Sequence, residues 1–172
     1  MIRRYWLHVL VALLLALLAA ALGFWLWARP APQPHLEHLT LANGSSLVRV
    51  SPSTRAKAQV AVAVPQDQAL SDKQLLDLSQ SADAQLVQVI LPPTDCTLQQ
   101  QSLQQALQQL QGTPTLVAGI GPGAGLAWSW LAAQQDDKAQ AISVGFSLEQ
   151  PGCTTALPKS AAHGHWNVAW ND

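Results

Sequence analysis

Basic residues are scarce in this chain. Lys and Arg together number 9 in 172 residues, against 10 Asp and Glu, for a formal net charge of -1. They form no cluster, which excludes the basic stripe that a nucleic-acid surface requires. Cysteine is limited to Cys96 and Cys153. Neither has a second cysteine nearby, so neither belongs to a zinc motif, and no metal or cofactor is expected. Charge is missing altogether from one long stretch. After Arg3 and Arg4, the run from Tyr5 to Trp27 is almost wholly apolar, with His8 its one ionisable residue. About 23 helical residues rise about 34 Å, enough to cross the hydrocarbon core. Tyr5 and Trp6 at one end and Trp25 and Trp27 at the other suit an aromatic belt, and the two early arginines favour a cytoplasmic N-terminus. Residues 1–29 therefore read as a membrane anchor, or as a signal segment if cleaved at the alanines near Ala21 or Ala28. Either way, the rest of the chain lies outside the cytoplasm, in the periplasm. Two cysteines in an exported domain are a candidate disulfide, Cys96–Cys153.

Residues 30–37 form a proline-rich linker, and 38–172 are long enough for one domain with a core. A hairpin is expected from Leu39-Thr40-Leu41 and Leu47–Val50, flanking the Asn43-Gly44 dipeptide of a two-residue type I′ turn. Strand-helix alternation comes next. Ala58–Val64 is a buried strand, and Ser71 and Gln74 open a helix as a capping box. Gln85–Leu91 is the next strand, ended by Pro92-Pro93. Thr97 and Gln100 form a second capping-box signature before a helix with Leu103, Leu107 and Leu110 on one face. Thr115–Gly119, a helix over Ala124–Gln134 and a strand over Ala141–Phe146 complete the series. Such alternation implies a mainly parallel, three-layer α/β sheet behind the antiparallel hairpin.

The turn after the third βα strand is built for a residue that it lacks. It reads Gly119-Ile120-Gly121-Pro122-Gly123-Ala124-Gly125. Strand, glycine-rich turn, helix is the setting of the G-x-S-x-G nucleophile elbow. Gly119 and Gly123 hold the two glycine positions, and Gly121 stands where the serine belongs. The next residue gives its backbone N–H to the oxyanion hole in such enzymes, but Pro122 has none. Hairpin, βα units and elbow come in the order of an α/β-hydrolase core that stops early, so the expected fold is an incomplete α/β-hydrolase-like sandwich without catalysis of its own. The glycines serve close helix–strand packing or, through the amides of Gly121, Gly123, Ala124 and Gly125, an anion or lipid headgroup. The G-x-G-x-x-A spacing also matches a dinucleotide fingerprint, without the acid that should come after it.

At Gly119–Trp130, Ala141–Glu149 and the terminal stretch His163–Asp172, the sequence resembles the bacterial virulence protein family of VirJ/AcvB type, and most of all the N-terminal portion of its longer, AcvB-like members. The resemblance implies a periplasmic α/β hydrolase acting on lysyl-phosphatidylglycerol, with the active serine in a downstream domain. The nucleophile position carried over to this chain falls on Gly121, so serine chemistry does not transfer. This chain would then support or regulate an aminoacyl-phospholipid hydrolase domain at the inner membrane. The alternatives are a freestanding partner-binding module of the envelope or of secretion, and a hydrolase using other residues. His163 and His165 lack further metal ligands. Trp166, Val168 and Trp170 alternate on one strand face, and Trp166 and Trp170 are candidates for docking onto a following domain. Of Trp128 and Trp130, at least one packs inside. Ser147 lacks an elbow, and Asp95, Asp136 and Asp137 read as loop carboxylates.

Overall fold

The computed structural model describes residues 18–19, 33–93, 95–146, 153 and 164–170. The chain divides into two units, Met1–Pro32 and Gln33–Asp172, and the sheet and its helices belong to the second. The expected membrane span lies outside the described residues apart from 18–19. Among the described residues no helix is long and apolar enough to cross a membrane.

Seven strands form one sheet: β1 (His35–Thr40), β2 (Ser46–Ser51), β3 (Ala58–Val64), β4 (Ala84–Ile90), β5 (Leu116–Ile120), β6 (Gln140–Phe146) and β7 (His165–Trp170). Their order is β1-β2-β4-β3-β5-β6-β7. β2 runs antiparallel to both neighbours, and every pair from β4 to β7 is parallel. Three helices connect them: α1 (Asp72–Ala82), α2 (Cys96–Gln108) and α3 (Pro122–Ala132). The right-handed crossover rule sorts these helices. α1 carries the chain one way along the sheet, from β3 to β4. α2 and α3 carry it the other way, so they lie on the opposite face.

The core respects this division. Leu75 of α1 packs with Val48, Val50, Ala84 and Leu86. Leu103 and Ala106 of α2 and Leu126, Trp128 and Leu131 of α3 pack with Ala61, Ala63, Val87, Val117 and Ala141. The alternation within β3 fits both sides, since Ala61 and Ala63 lie beneath α2 and α3 while Ala58 and Val60 pack on the α1 side. α1 covers only part of its face. Beyond it Leu116, Ala118, Ile120 and Ile142 are half-buried and Val144 is 40% exposed, where parallel strands are usually buried on both faces.

Local chemistry fixes the helix ends. Ser71 and Gln74 make the expected capping box. Asp83 ends α1 with φ of 48°, and its carboxylate takes Lys57 Nζ at 2.6 Å. Two expectations are corrected. α2 begins at Cys96, capped by Asp95, whose Oδ1 accepts from the amides of Thr97 and Leu98 at 2.8 and 3.1 Å. Thr97 is therefore already helical, because the carboxylate two residues earlier reaches the free amides first. The hairpin tip is a type I turn with a bulge glycine, not type I′. Gly44 N–H donates to Leu41 O, Leu41 N–H donates to Ser45 O, and Gly44 at φ of 85° is the one positive-φ residue there. A type I′ turn needs two. Asn43 Nδ2 instead donates to Ser102 Oγ of α2 at 2.8 Å, which pins the tip to the helix.

Cys96 and Cys153 form the expected disulfide. It ties the first residue of α2 to the connection between β6 and β7. The tryptophan-rich terminal stretch forms a seventh strand parallel to β6, which gives the last part of the βα series a partner that sequence reading left open.

Removing the disulfide as the Cys96→Ala, Cys153→Ala pair should lower unfolding free energy by about 4 kcal/mol, the chain-entropy value for a loop of this length. Urea denaturation measures this, and an unchanged midpoint would contradict a stabilising cross-link. A second prediction concerns acid. The hydrogen bond from Arg49, then that from His35, holds the Glu37 carboxyl below its ordinary value. The hydrogen bond from Lys57, and its charge, do the same for Asp83. Depressed carboxyl values give a contribution present above the unfolded value, about 4, and lost as pH falls through the folded one. Lys57→Met should therefore move the Asp83 carboxyl up towards its ordinary value in an NMR titration.

Candidate functional site

The elbow is present in three dimensions, and its three glycines are there for different reasons. A Cβ on Gly119 would lie 1.9 Å from Gly123 O, and one on Gly123 would lie 2.4 Å from Ala63 O. Backbone meets backbone at both places, so no side chain fits. Gly121 has φ of 55° and ψ of -118°, a backbone setting that costs an L-residue strain. Its surroundings are open: a Cβ there would find Pro65 Cγ at 3.9 Å and Gln68 Oε1 at 4.0 Å. The turn holds position 121 out at the carboxyl end of the sheet, with room for a side chain that glycine does not supply.

Among the described residues, donors and bases that would activate such a side chain are scarce at this end of the sheet. β3 runs directly into Pro65, β4 reaches Pro92 and Pro93 after Leu91, and Gly121 is followed by Pro122. Pro65, Pro93, Pro122, Leu91, Gln66 and Asp67 line a depression of about 380 Å³ at these strand ends. Proline has no N–H to give, so the rim where an oxyanion hole would sit is poor in donors. Leu91 N–H donates to Val64 O, and in the 3₁₀ turn Gln66–Gln68 the amides of Gln68 and Ala69 donate to Pro65 O and Gln66 O. The same applies to part of the anion site read from the sequence. Gly121 N–H donates to Val144 O at 2.9 Å and Ala124 N–H to Gly121 O at 3.0 Å. Gly123, Ala124 and Gly125 are buried. Gly119 and Gly123 thus serve close helix–strand packing.

No base reaches the elbow among the described residues. His35 and His38 are on β1, at the far edge of the sheet. His165 pairs with Gln140 at the start of β6, the end of the sheet opposite the elbow. Asp136 and Asp137 precede that same end. His163, Ser147, Glu149 and Asp172 lie outside the described residues. Asp67 is the one acidic residue in the depression, and no described histidine approaches it. Among the described residues no group of three metal-ligating side chains exists.

Trp166 faces inward. Its ring lies 4.1 Å from that of Trp128 and 5.5 Å, edge to face, from that of Phe146, and its Nε1 donates to Ser143 Oγ at 3.0 Å. The Trp170 side chain lies outside the described residues. Trp128 is buried and Trp130 half-buried. Ser143 is the residue that sequence reading missed. Fully buried beneath α3, its hydroxyl donates to Ala124 O at 2.8 Å and anchors the first turn of the elbow helix to β6. A lone serine in an apolar strand gave no signal of this.

No protein-family model and no curated protein matches the sequence. Solved structures do match in fold. An S-formylglutathione hydrolase, FrmB, from Staphylococcus aureus aligns at a TM-score of 0.51 and 9% identity over 71% of this chain and 63% of its own. The thioesterase domain from the curacin biosynthetic pathway aligns at 0.50 and 17% identity, over 74% of this chain and 48% of its own. The Francisella virulence factor BioJ aligns at 0.49 and 13% identity, over 77% and 51%. The chain spans about half to two-thirds of the length of these neighbours. Strand order, elbow position and the first two likenesses show an α/β-hydrolase-like fold.

The packing makes a graded prediction for the elbow. Gly119→Ala and Gly123→Ala should prevent stable folding, whereas Gly121→Ala should fold at a cost of about 1–3 kcal/mol. Chemical denaturation of the three variants distinguishes them, and equal losses would refute the assignment of open space at 121.

Proposed function

We propose that this chain is a non-catalytic α/β-hydrolase-type domain of the bacterial envelope. It is of VirJ/AcvB type, tethered to the inner membrane by residues 1–29 and working in the periplasm. Its role is to support or regulate an aminoacyl-phospholipid hydrolase domain that carries the active serine. One observation carries this reading: a geometrically complete elbow with glycine at the nucleophile position and proline immediately after it. Such a site can position no attacking atom and, at residue 122, no oxyanion donor. The disulfide supports an oxidising compartment. A second reading, a freestanding partner-binding module, draws on the partly uncovered sheet face around Ile142 and Val144.

The test is direct. The purified full chain should hydrolyse neither p-nitrophenyl esters nor lysyl-phosphatidylglycerol, and a fluorophosphonate probe should leave it unlabelled. Gly121→Ser alone should remain inactive, because neither a base nor an amide at 122 comes with it. Stoichiometric labelling or turnover by the unaltered chain would overturn the non-catalytic reading. Flotation with vesicles containing lysyl-phosphatidylglycerol, compared with vesicles lacking it, separates headgroup contact from simple anchoring.

A further inference from the structure

The hairpin tip holds a reactive pair. An Asn side-chain amide can be attacked at Cγ by the backbone nitrogen of the next residue, and glycine there obstructs least because it has no Cβ. In this fold both partners are occupied. Gly44 N–H donates to Leu41 O at 2.9 Å, so the nitrogen that would attack keeps its proton and is directed across the turn. Asn43 Nδ2, the leaving group, donates to Ser102 Oγ at 2.8 Å and to Leu98 O at 3.4 Å. Ser102 is fully buried on α2, and its own hydroxyl donates to Leu98 O at 2.7 Å. Its Oγ therefore accepts from Asn43 and from Ser45 Oγ, the latter at 2.8 Å, which uses both of its lone pairs. One contact favours attack: Ser45 N–H donates to Asn43 Oδ1 at 3.1 Å and polarises the side-chain carbonyl. Gly44 is exposed, and a Cβ there would meet nothing within 4 Å, so water reaches the pair.

We propose that Asn43 is a gated deamidation site, dormant while Ser102 holds the hairpin tip on α2 and converted when that pin opens. Once it opens, Gly44 N bonds to Asn43 Cγ and gives up its proton. The Cγ–Nδ2 bond breaks, the proton leaves with the nitrogen as ammonia, and a five-membered succinimide remains. Water opens the ring at either carbonyl and leaves Asp or isoaspartate at position 43. Water is the sole co-reactant, and nothing is oxidised or reduced. Refolding cannot reverse the step. The new carboxylate only accepts, and it would face Ser102 Oγ and Leu98 O, where the serine proton is already committed. Attraction turns into repulsion, so one opening works against the next closure. The tip also belongs to the crevice at the carboxyl end of the sheet. Asn43 to Ser46 form one wall of a depression of about 280 Å³, which shares Gln66, Leu91 and Pro93 with the depression beside the elbow. Release of the tip therefore joins a slow chemical step to the shape of that crevice.

The test uses the full chain, held at mildly alkaline pH and body temperature and mapped by mass spectrometry for conversion of Asn43. The folded protein should convert much more slowly than the same chain in urea. Ser102→Ala should speed conversion of the folded chain about fivefold, the factor for one lost hydrogen bond, and leave the rate in urea unchanged. Circular dichroism and retention of the Cys96–Cys153 disulfide report that the variant has folded. Asn43→Asp, which installs the product directly, should lower the urea midpoint and speed hydrogen exchange at the Gly44 amide. Equal rates in the folded and urea-unfolded chains, a folded Ser102→Ala protein that converts no faster, or an Asn43→Asp protein with unchanged midpoint and Gly44 exchange would each overturn the proposal.

Discussion

The close approach of the β5–α3 turn to β3 sets the terms for the rest of this molecule. Gly123 lies so near Ala63 that a methyl group between them would overlap a carbonyl oxygen, and Gly119 is equally close to Gly123. Backbones that approach this closely bring α3 down onto the sheet, where Leu126, Trp128 and Leu131 pack with Ala61 and Ala63 of β3 and Val117 of β5. Ser143 then ties the first turn of α3 to β6, and Trp166 completes the arrangement from β7. Any side chain at either glycine would push the helix away and open this core. The same contact forces the chain to reverse sharply at Gly121, and the raised position 121 is a by-product of packing.

That separation explains how a hydrolase-type frame can stand with glycine at its elbow position. The glycines at 119 and 123 answer to packing, whereas the residue at 121 answers to chemistry, and here only the first requirement is met. Prolines at the ends of β3 and β4 and at the start of α3 reinforce the same outcome. Each stiffens the strand-to-loop transition and each removes an amide. A crevice at the carboxyl ends of parallel strands is the usual ligand position in open α/β sheets. Among the described residues it is shaped by pyrrolidine rings, with Asp67 as the one charged residue in its lining.

Much of the frame was legible because local signals agreed with tertiary demand. Ser71 and Gln74 cap α1 as their spacing requires, and the apolar runs of β3, β4, β5 and β6 fall within a residue or two of the observed strands. The elbow was legible in full, since glycine spacing and the proline at 122 speak for themselves. Where reading failed, a competitor in space had won. Asp95 took the α2 amides ahead of Thr97, and Ser102 drew Asn43 towards α2 in a turn where Gly44 alone adopts positive φ. Ser143 and the inward Trp166 could not be found from sequence, because their roles exist only once β6, β7 and α3 are side by side.

Taken by itself, the sequence determined the alternation of strands and helices, the pair of cysteines available for a bridge, and glycine at the nucleophile position of the elbow. Each of these is a property of residue type or of spacing along the chain. The tertiary structure decided the strand order, the face to which each helix belongs and the parallel attachment of β7. Those depend on crossover handedness and on which residues end as neighbours across tens of positions, and no local pattern encodes such distances.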